Sequence, residues 1–125
     1  NMVYTYTLYT NRGNERLMAR KQKHIDYENC PVEASLDMIG GKWKGVILSR
    51  LLQQTWRFNE LKRTIPRITQ RMLTNQLREL ERDKLVTRKV FAEVPPRVEY
   101  TLSQRGRSLE PILNALLDWG KKNIL

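Results

Sequence analysis

Residues 58–84 read FNELKRTIPRITQRMLTNQLRELERDK, and the breaks in that stretch decide the fold. Phe58 to Ile65 has a short helical pattern, which Pro66 ends by disfavouring α geometry at Ile65. Thr69 comes next, and its hydroxyl suits the free N–H groups that open a new helix. From there to about Lys84, Leu73, Leu77 and Leu80 recur on one face, with Met72 beside them. A short helix, a tight turn and a longer second helix make a helix-turn-helix.

Just beyond, the period of the apolar residues drops from near four to two. Leu85 to Phe91 reads as a strand, and Arg97 to Leu102 as another, with Val98, Tyr100 and Leu102 on one face. The connector Ala92-Glu93-Val94-Pro95-Pro96 cannot continue a ladder at its prolines. The expected element is a two-stranded antiparallel ribbon, placed where a wing follows a helix-turn-helix.

Upstream, Pro31 suits the first turn of a helix, where its missing N–H costs nothing. Val32 to Ile39 continues that helix, with Glu33 near its positive N-terminal end, and Gly40-Gly41 stops it. Trp43, Val46, Ile47 and Leu51 then mark a second helix, with Lys42, Lys44 and Arg50 on its polar side. Gln53-Gln54-Thr55 reads as a turn. Downstream, Ser103 can cap a last helix that carries Leu109, Ile112, Leu113, Leu116 and Leu117 on one side. Pro111 lies inside that pattern and should kink or split it. The expected class is mainly α with a small β-ribbon (α+β), a winged helix-turn-helix over residues 29–125.

Residues 1–28 show no clear period. Tyr4, Tyr6 and Tyr9 precede a basic run from Arg12 to Lys23, and Met18 is a candidate alternative start. This stretch reads as an arm or tail. It has no positive region followed by an apolar stretch, so no secretory signal is expected. No apolar run reaches the roughly 18 residues of a membrane helix, so a cytoplasmic protein without a membrane partner is expected.

Cys30 is the single cysteine and His24 the single histidine. An internal disulfide framework and a multi-cysteine zinc site are therefore excluded. No catalytic residues, metal or cofactor are expected. An enzyme with Cys30 as nucleophile would need a base, and His24 sits in a polar stretch with no sign of a pocket.

Charge points to a partner. The 125 residues hold 23 Lys and Arg against 13 Asp and Glu, a net charge of +10. Residues 41–84 alone hold 11 Lys/Arg and 4 acids, so 11 − 4 = +7 of that surplus lies there. Concentrated positive charge is the footprint of a polyanion, although a solvated basic surface or acidic lipid would give the same composition.

The order of elements favours duplex DNA. With the leucines turned inward, the longer helix presents Thr69, Gln70, Arg71, Thr74, Asn75 and Arg78 outward. Arg can donate twice to guanine, Asn and Gln pair with adenine, and a Thr methyl packs on the thymine methyl. Glu79, Glu81 and Asp83 collect at the far end of this helix. Lys44, Arg57, Lys62, Arg63 and Arg67 flank it and suit phosphates, which fix register without reading sequence. Arg97 follows the prolines of the wing and suits a minor groove or backbone. The bland alternatives are an amphipathic helix with a polar outside and ordinary solvent charges.

With these residues in place the sequence resembles the HxlR-type family of bacterial winged-helix regulators, relatives of the MarR type. The resemblance rests on Cys30-Pro31-Val32-Glu33-Ala34, Ile39-Gly40-Gly41-Lys42-Trp43, Arg57-Phe58-Asn59-Glu60-Leu61 and Ile68-Thr69-Gln70-Arg71-Met72-Leu73-Thr74. It continues through Leu77-Arg78-Glu79-Leu80-Glu81, Glu93-Val94-Pro95-Pro96-Arg97-Val98-Glu99-Tyr100 and Trp119-Gly120. Each segment is weak alone; in unbroken order over about residues 30–120 they are specific.

The resemblance implies a homodimeric transcription factor, with a repressor as the expected sign. In the family the N-terminal region and last helix form the dimer, which agrees with the stripe Leu109, Ile112, Leu113, Leu116 and Leu117. Two-fold pairing implies an inverted-repeat operator. Several family members sense oxidants or electrophiles through the cysteine of the Cys-Pro motif, here Cys30. A thiol beside the first turn of a helix also sits in positive potential, which favours the thiolate. An inert capping or packing cysteine is the alternative. A small-molecule or electrophile effector is thus one expected partner. The competing function is a winged-helix module that binds protein or RNA and reads no DNA sequence.

Overall fold

The computed structural model describes residues 30–125, so the expected arm at 1–28, with Met18 and His24, lies outside the described residues. The chain divides into two compact units, residues 1–41 and 42–125.

In the first unit the described element is helix α1 (Pro31–Ile39). Cys30 is its N-cap, and Cys30 Sγ accepts from the Glu33 N–H at 3.4 Å. Pro31 occupies the first turn, as its missing donor allows. Two glycines end the helix for different reasons. A Cβ on Gly40 would strike the Leu36 carbonyl, and Gly41 has φ +87°, a left-handed conformation that glycine adopts freely.

The second unit runs α2 (Lys44–Gln53), β1 (Trp56–Arg57), α3 (Phe58–Thr64), α4 (Gln70–Arg82), β2 (Val86–Phe91), β3 (Arg97–Leu102), α5 (Gln104–Arg107) and α6 (Glu110–Asn123). Its core is built from Ile47, Leu48 and Leu51 of α2, Leu61 of α3, and Leu73, Leu77 and Leu80 of α4. Leu85, Val86, Tyr100 and Leu102 add the sheet side, and Ile65 and Ile68 close the turn between α3 and α4. Leu48 was not on the expected stripe, yet it is fully buried, while Trp43 and Val46 are half-buried. The inward face of α2 is thus rotated toward Ile47, Leu48 and Leu51, which satisfy the i, i+3 and i, i+4 spacings together.

The expected two-stranded ribbon is in fact a three-stranded antiparallel sheet of order β1-β3-β2. The outer ladder pairs β2 with β3 from Val86↔Leu102 to Phe91↔Arg97, as expected of the wing. The added strand comes from the segment after the expected turn at Gln53-Gln54-Thr55. There Trp56 pairs with Tyr100 and Arg57 with Glu99. Thr55 Oγ1 and Thr101 Oγ1 share a hydrogen bond of 2.6 Å, and the Trp56 indole N–H donates to the Arg50 carbonyl at 2.8 Å. A strand of two residues has too few positions to display a period of two, so side-chain anchors rather than alternation define it.

Ser103 caps as expected, but it caps the short α5: its hydroxyl accepts from the Gly106 N–H at 3.0 Å and donates to the Lys84 carbonyl at 2.7 Å. Gly106 is packed so closely on the Leu85 carbonyl that a Cβ would overlap it. The last helical pattern is split rather than kinked. α6 begins at Glu110, which places Pro111 in a first turn where no donor is required.

α6 packs on α2. Of the expected apolar stripe, Leu113 is buried within this unit and Leu109 is half-buried. Ile112, Leu116 and Leu117 are exposed by 46, 55 and 55%, and Trp119 beside them by 60%.

Candidate nucleic-acid interface

α4 is positioned from both ends. At the start, Thr69 Oγ1 accepts from the Met72 N–H at 3.0 Å, so the hydroxyl expected among the base-reading groups serves as the N-cap. Along the helix, Leu73, Leu77 and Leu80 are almost completely buried and fix which side faces outward. Gln70, Arg71, Asn75 and Arg78 are exposed and Thr74 half-buried. All five line one shallow concavity, because positions 70, 71, 74, 75 and 78 fall on one side of a 3.6-residue helix. The structure brings together five of the six expected base-reading residues and leaves Thr69 at their edge.

The acidic end of α4 has a structural use. Lys44 Nζ bonds Glu79 Oε1 at 2.8 Å, with the Lys44 side chain only 6% exposed. This corrects the placement expected of Lys44 on an outer polar face, from which it could reach a phosphate. The aliphatic stem lies in the core, and the ammonium ties α2 to α4. Asp83, at the C-cap of α4, is likewise buried.

The other expected phosphate contacts are distributed around the helix-turn-helix. Arg57, Arg63 and Arg67 are exposed and Lys62 is half-buried. Arg67 takes φ 70° in the turn between α3 and α4, a left-handed position unusual for a residue with a Cβ. Arg57 opens α3, and its N–H donates to Glu60 Oε1 at 3.4 Å. Arg57 and Arg63 line a concavity shared with Glu93, Val94, Pro95 and Pro96 of the wing loop.

Arg97 also borders that concavity, but its side chain is folded against the wing itself. It pairs with Glu93 at 3.1 Å and Glu99 at 3.5 Å, and its guanidinium lies 3.9 Å from the centroid of the Phe91 ring. Arg97 therefore differs from the projecting charge expected at a wing tip. The tip itself presents Val94, fully exposed, with Pro95 and Pro96.

Sequence reasoning did not select Arg88 as a site residue. Arg88 pairs with Tyr100 across β2 and β3, and directly paired residues share a face of a sheet. That face borders a cleft of about 410 Å³ lined by Phe58, Gln70, Thr74, Arg78, Glu81, Arg88, Val98 and Tyr100. Burial pushes the Tyr100 hydroxyl above its ordinary 10.0, and the positive charge of nearby Arg88 partly opposes the rise. The signal was present in the sequence, since the alternation that turned Tyr100 inward also sets the face of Arg88 once the register is known.

Cys30 is half-exposed and caps α1 through its sulfur. No helix among the described residues is long and apolar enough to cross a membrane.

A short helix, a turn, a helix with a polar outer face and an antiparallel ribbon directly after it define a winged helix-turn-helix. A family model described as HxlR-like helix-turn-helix matches residues 38–125, and the chain belongs to that family. It is 57% identical over 97 residues to the HTH-type transcriptional regulator YdeP of Bacillus subtilis (strain 168), covering 78% of this chain and 76% of that protein. Among solved structures it is similar to the redox regulator HypR. The oxidized form matches at 55% identity and a TM-score of 0.72, over 75% of this chain and 97% of that one. The reduced form matches at 54% and 0.73, over 75% and 93%. A regulator of the MarR family from Porphyromonas gingivalis W83 matches at 38% and 0.74, over 78% and 95%. The chain is thus an HTH-type transcriptional regulator of the HxlR family, not an enzyme.

Proposed function

We propose that this chain acts as a homodimer that reads an inverted-repeat operator in duplex DNA and represses transcription there. The observation that carries the reading is the outer face of α4, where Gln70, Arg71, Thr74, Asn75 and Arg78 line one concavity. These side chains carry the donors, acceptors and methyl group that match base edges in a major groove. Arg57, Lys62, Arg63 and Arg67 flank them as phosphate contacts that set the register.

The exposed Ile112, Leu116, Leu117 and Trp119 of α6 support a second copy as the dimer partner. Leu109 and Leu113 stand behind them. The arm at 1–28 is assigned to the same interface, and residues 29–125 to the winged domain. A self-complementary apolar face is what a two-fold pairing needs, and the two-fold axis carries over to the operator.

Cys30 is proposed as the oxidant-responsive group. Support comes from the likeness to a redox regulator whose oxidized and reduced forms are both known. An added oxidant would take two electrons and two protons from a pair of thiols and leave a disulfide. The pair is Cys30 with Cys30 of the second copy, or Cys30 with a small thiol.

Selection of bound duplexes from a random pool, at physiological salt and with or without a thiol oxidant, tests the reading. An enriched inverted repeat is the expected result, with its recovery lowered by oxidant in the native chain and unaffected in Cys30→Ser. Salt-sensitive binding to every duplex alike, without enrichment, would mean a basic surface or an interaction module rather than a sequence reader.

A further inference from the structure

A helix in the major groove and a ribbon in the adjacent minor groove stand on opposite sides of one sugar–phosphate strand, since that strand is the wall between the grooves. In this chain the space between those two elements is the cleft lined by α4 on one side and the β2–β3 sheet on the other. We infer that this cleft seats one phosphate of the straddled DNA strand, held between Arg78 of α4 and Arg88 of β2 with the Tyr100 hydroxyl as a third donor. The inference rests on the DNA-binding reading above and gives Arg78 a phosphate role in place of a base contact.

The lining fits a phosphodiester in three respects. First, the charges come from two different elements. Arg78 and Arg88 are both exposed at the cleft, whereas Lys44 and Arg97 hold carboxylates within the fold. Second, Tyr100 keeps its proton. Burial disfavours the phenolate, so the hydroxyl retains an O–H that can donate to an anion. Third, Phe58 and Val98 supply apolar wall for the deoxyribose on either side of the phosphate. Glu81 also borders the cleft and opposes an anion there, so the two arginines must outweigh it.

One consequence separates this site from ordinary surface charge. The seat joins the reading helix to the wing, so it requires both elements to engage the same strand. A generic basic surface has no such position dependence.

The test uses the full chain and the duplex enriched by selection, in which single phosphates are replaced one at a time by uncharged methylphosphonates. One position in each half-site should weaken native binding about tenfold, the loss of a charge-assisted hydrogen-bonded contact. In Arg88→Gln and Tyr100→Phe, the same replacement should cost less than about threefold, because the contact is already gone. Arg88 is exposed and Tyr100→Phe keeps the ring facing Phe58, so both variants should melt near the native chain. If the native chain reads its duplex but both variants keep the native methylphosphonate profile and salt dependence, the phosphate seat is wrong and the DNA reading stands. If the native chain enriches no duplex, the reading itself fails and the seat falls with it.

Discussion

α4 and α6 are helices of similar length with leucines at helical spacing, and they end in opposite states. In α4, Leu73, Leu77 and Leu80 are 0, 1 and 0% exposed, and the polar face looks outward. In α6, Leu113 is 7% exposed, while Leu116 and Leu117 are each 55% exposed. One apolar pattern therefore has two meanings. In α4 it records a core completed within the unit. In α6 it leaves an apolar surface open. Periodicity identifies which residues share a face, but it does not identify what covers that face.

Truncating the two stripes should break this contrast most sharply. Leu77→Ala should lower unfolding stability by about 2–5 kcal/mol at any protein concentration. If the proposed pairing holds, Leu116→Ala should instead weaken concentration-dependent self-association, read by sedimentation, with little effect on unfolding at high dilution. If both variants gave equal, concentration-independent losses, the distinction would collapse.

A second contrast lies between charges used inside the fold and charges offered outside it. Lys44→Ala should cost about 1–3 kcal/mol in denaturant titration by removing the 2.8 Å contact between the buried ammonium and Glu79. In the folded variant the salt dependence of DNA binding should match the native chain. Arg71→Ala should do the reverse, leaving the melt unchanged while losing roughly 1–3 kcal/mol of operator binding and blurring one or two base positions. Arg63→Ala should weaken all duplexes alike and make the salt slope shallower by about one unit.

The smallest effect concerns Tyr100. Its hydroxyl is raised above 10.0 by burial, so the folded state holds this proton more tightly than the unfolded chain. Stability from this group is therefore complete below pH 10.0 and lost as pH climbs through the folded value. Tyr100→Phe should flatten the alkaline limb of a melting-temperature profile relative to the native chain; identical limbs would remove the assignment.

Much of this architecture was legible in the sequence because it depends on local chemistry. Pro66, the Thr69 cap and the three- and four-residue spacings of Leu73, Leu77 and Leu80 each act within one or two turns of chain. Residues 97–102 alternate cleanly and form β3 with those same bounds. The unread parts depend on contacts between distant residues. β1 is held by Thr101, Tyr100 and Glu99, more than forty positions away. Lys44 looked like a surface charge because its carboxylate lies 35 positions further on. Arg97 looked free because Phe91, Glu93 and Glu99 converge on it only when the wing closes. The outward face of α4 was readable in advance, whereas Arg88 needed the strand register.

The short strand β1 has a mechanical consequence. Trp56 and Arg57 are hydrogen-bonded to β3 on one side and run directly into α3 on the other. The ribbon therefore lacks an independent hinge at its root, and the angle between wing and helix-turn-helix is set when the chain folds. The orientational freedom a loose ribbon would surrender on meeting its target has been removed beforehand, so the entropic penalty of engagement is correspondingly smaller.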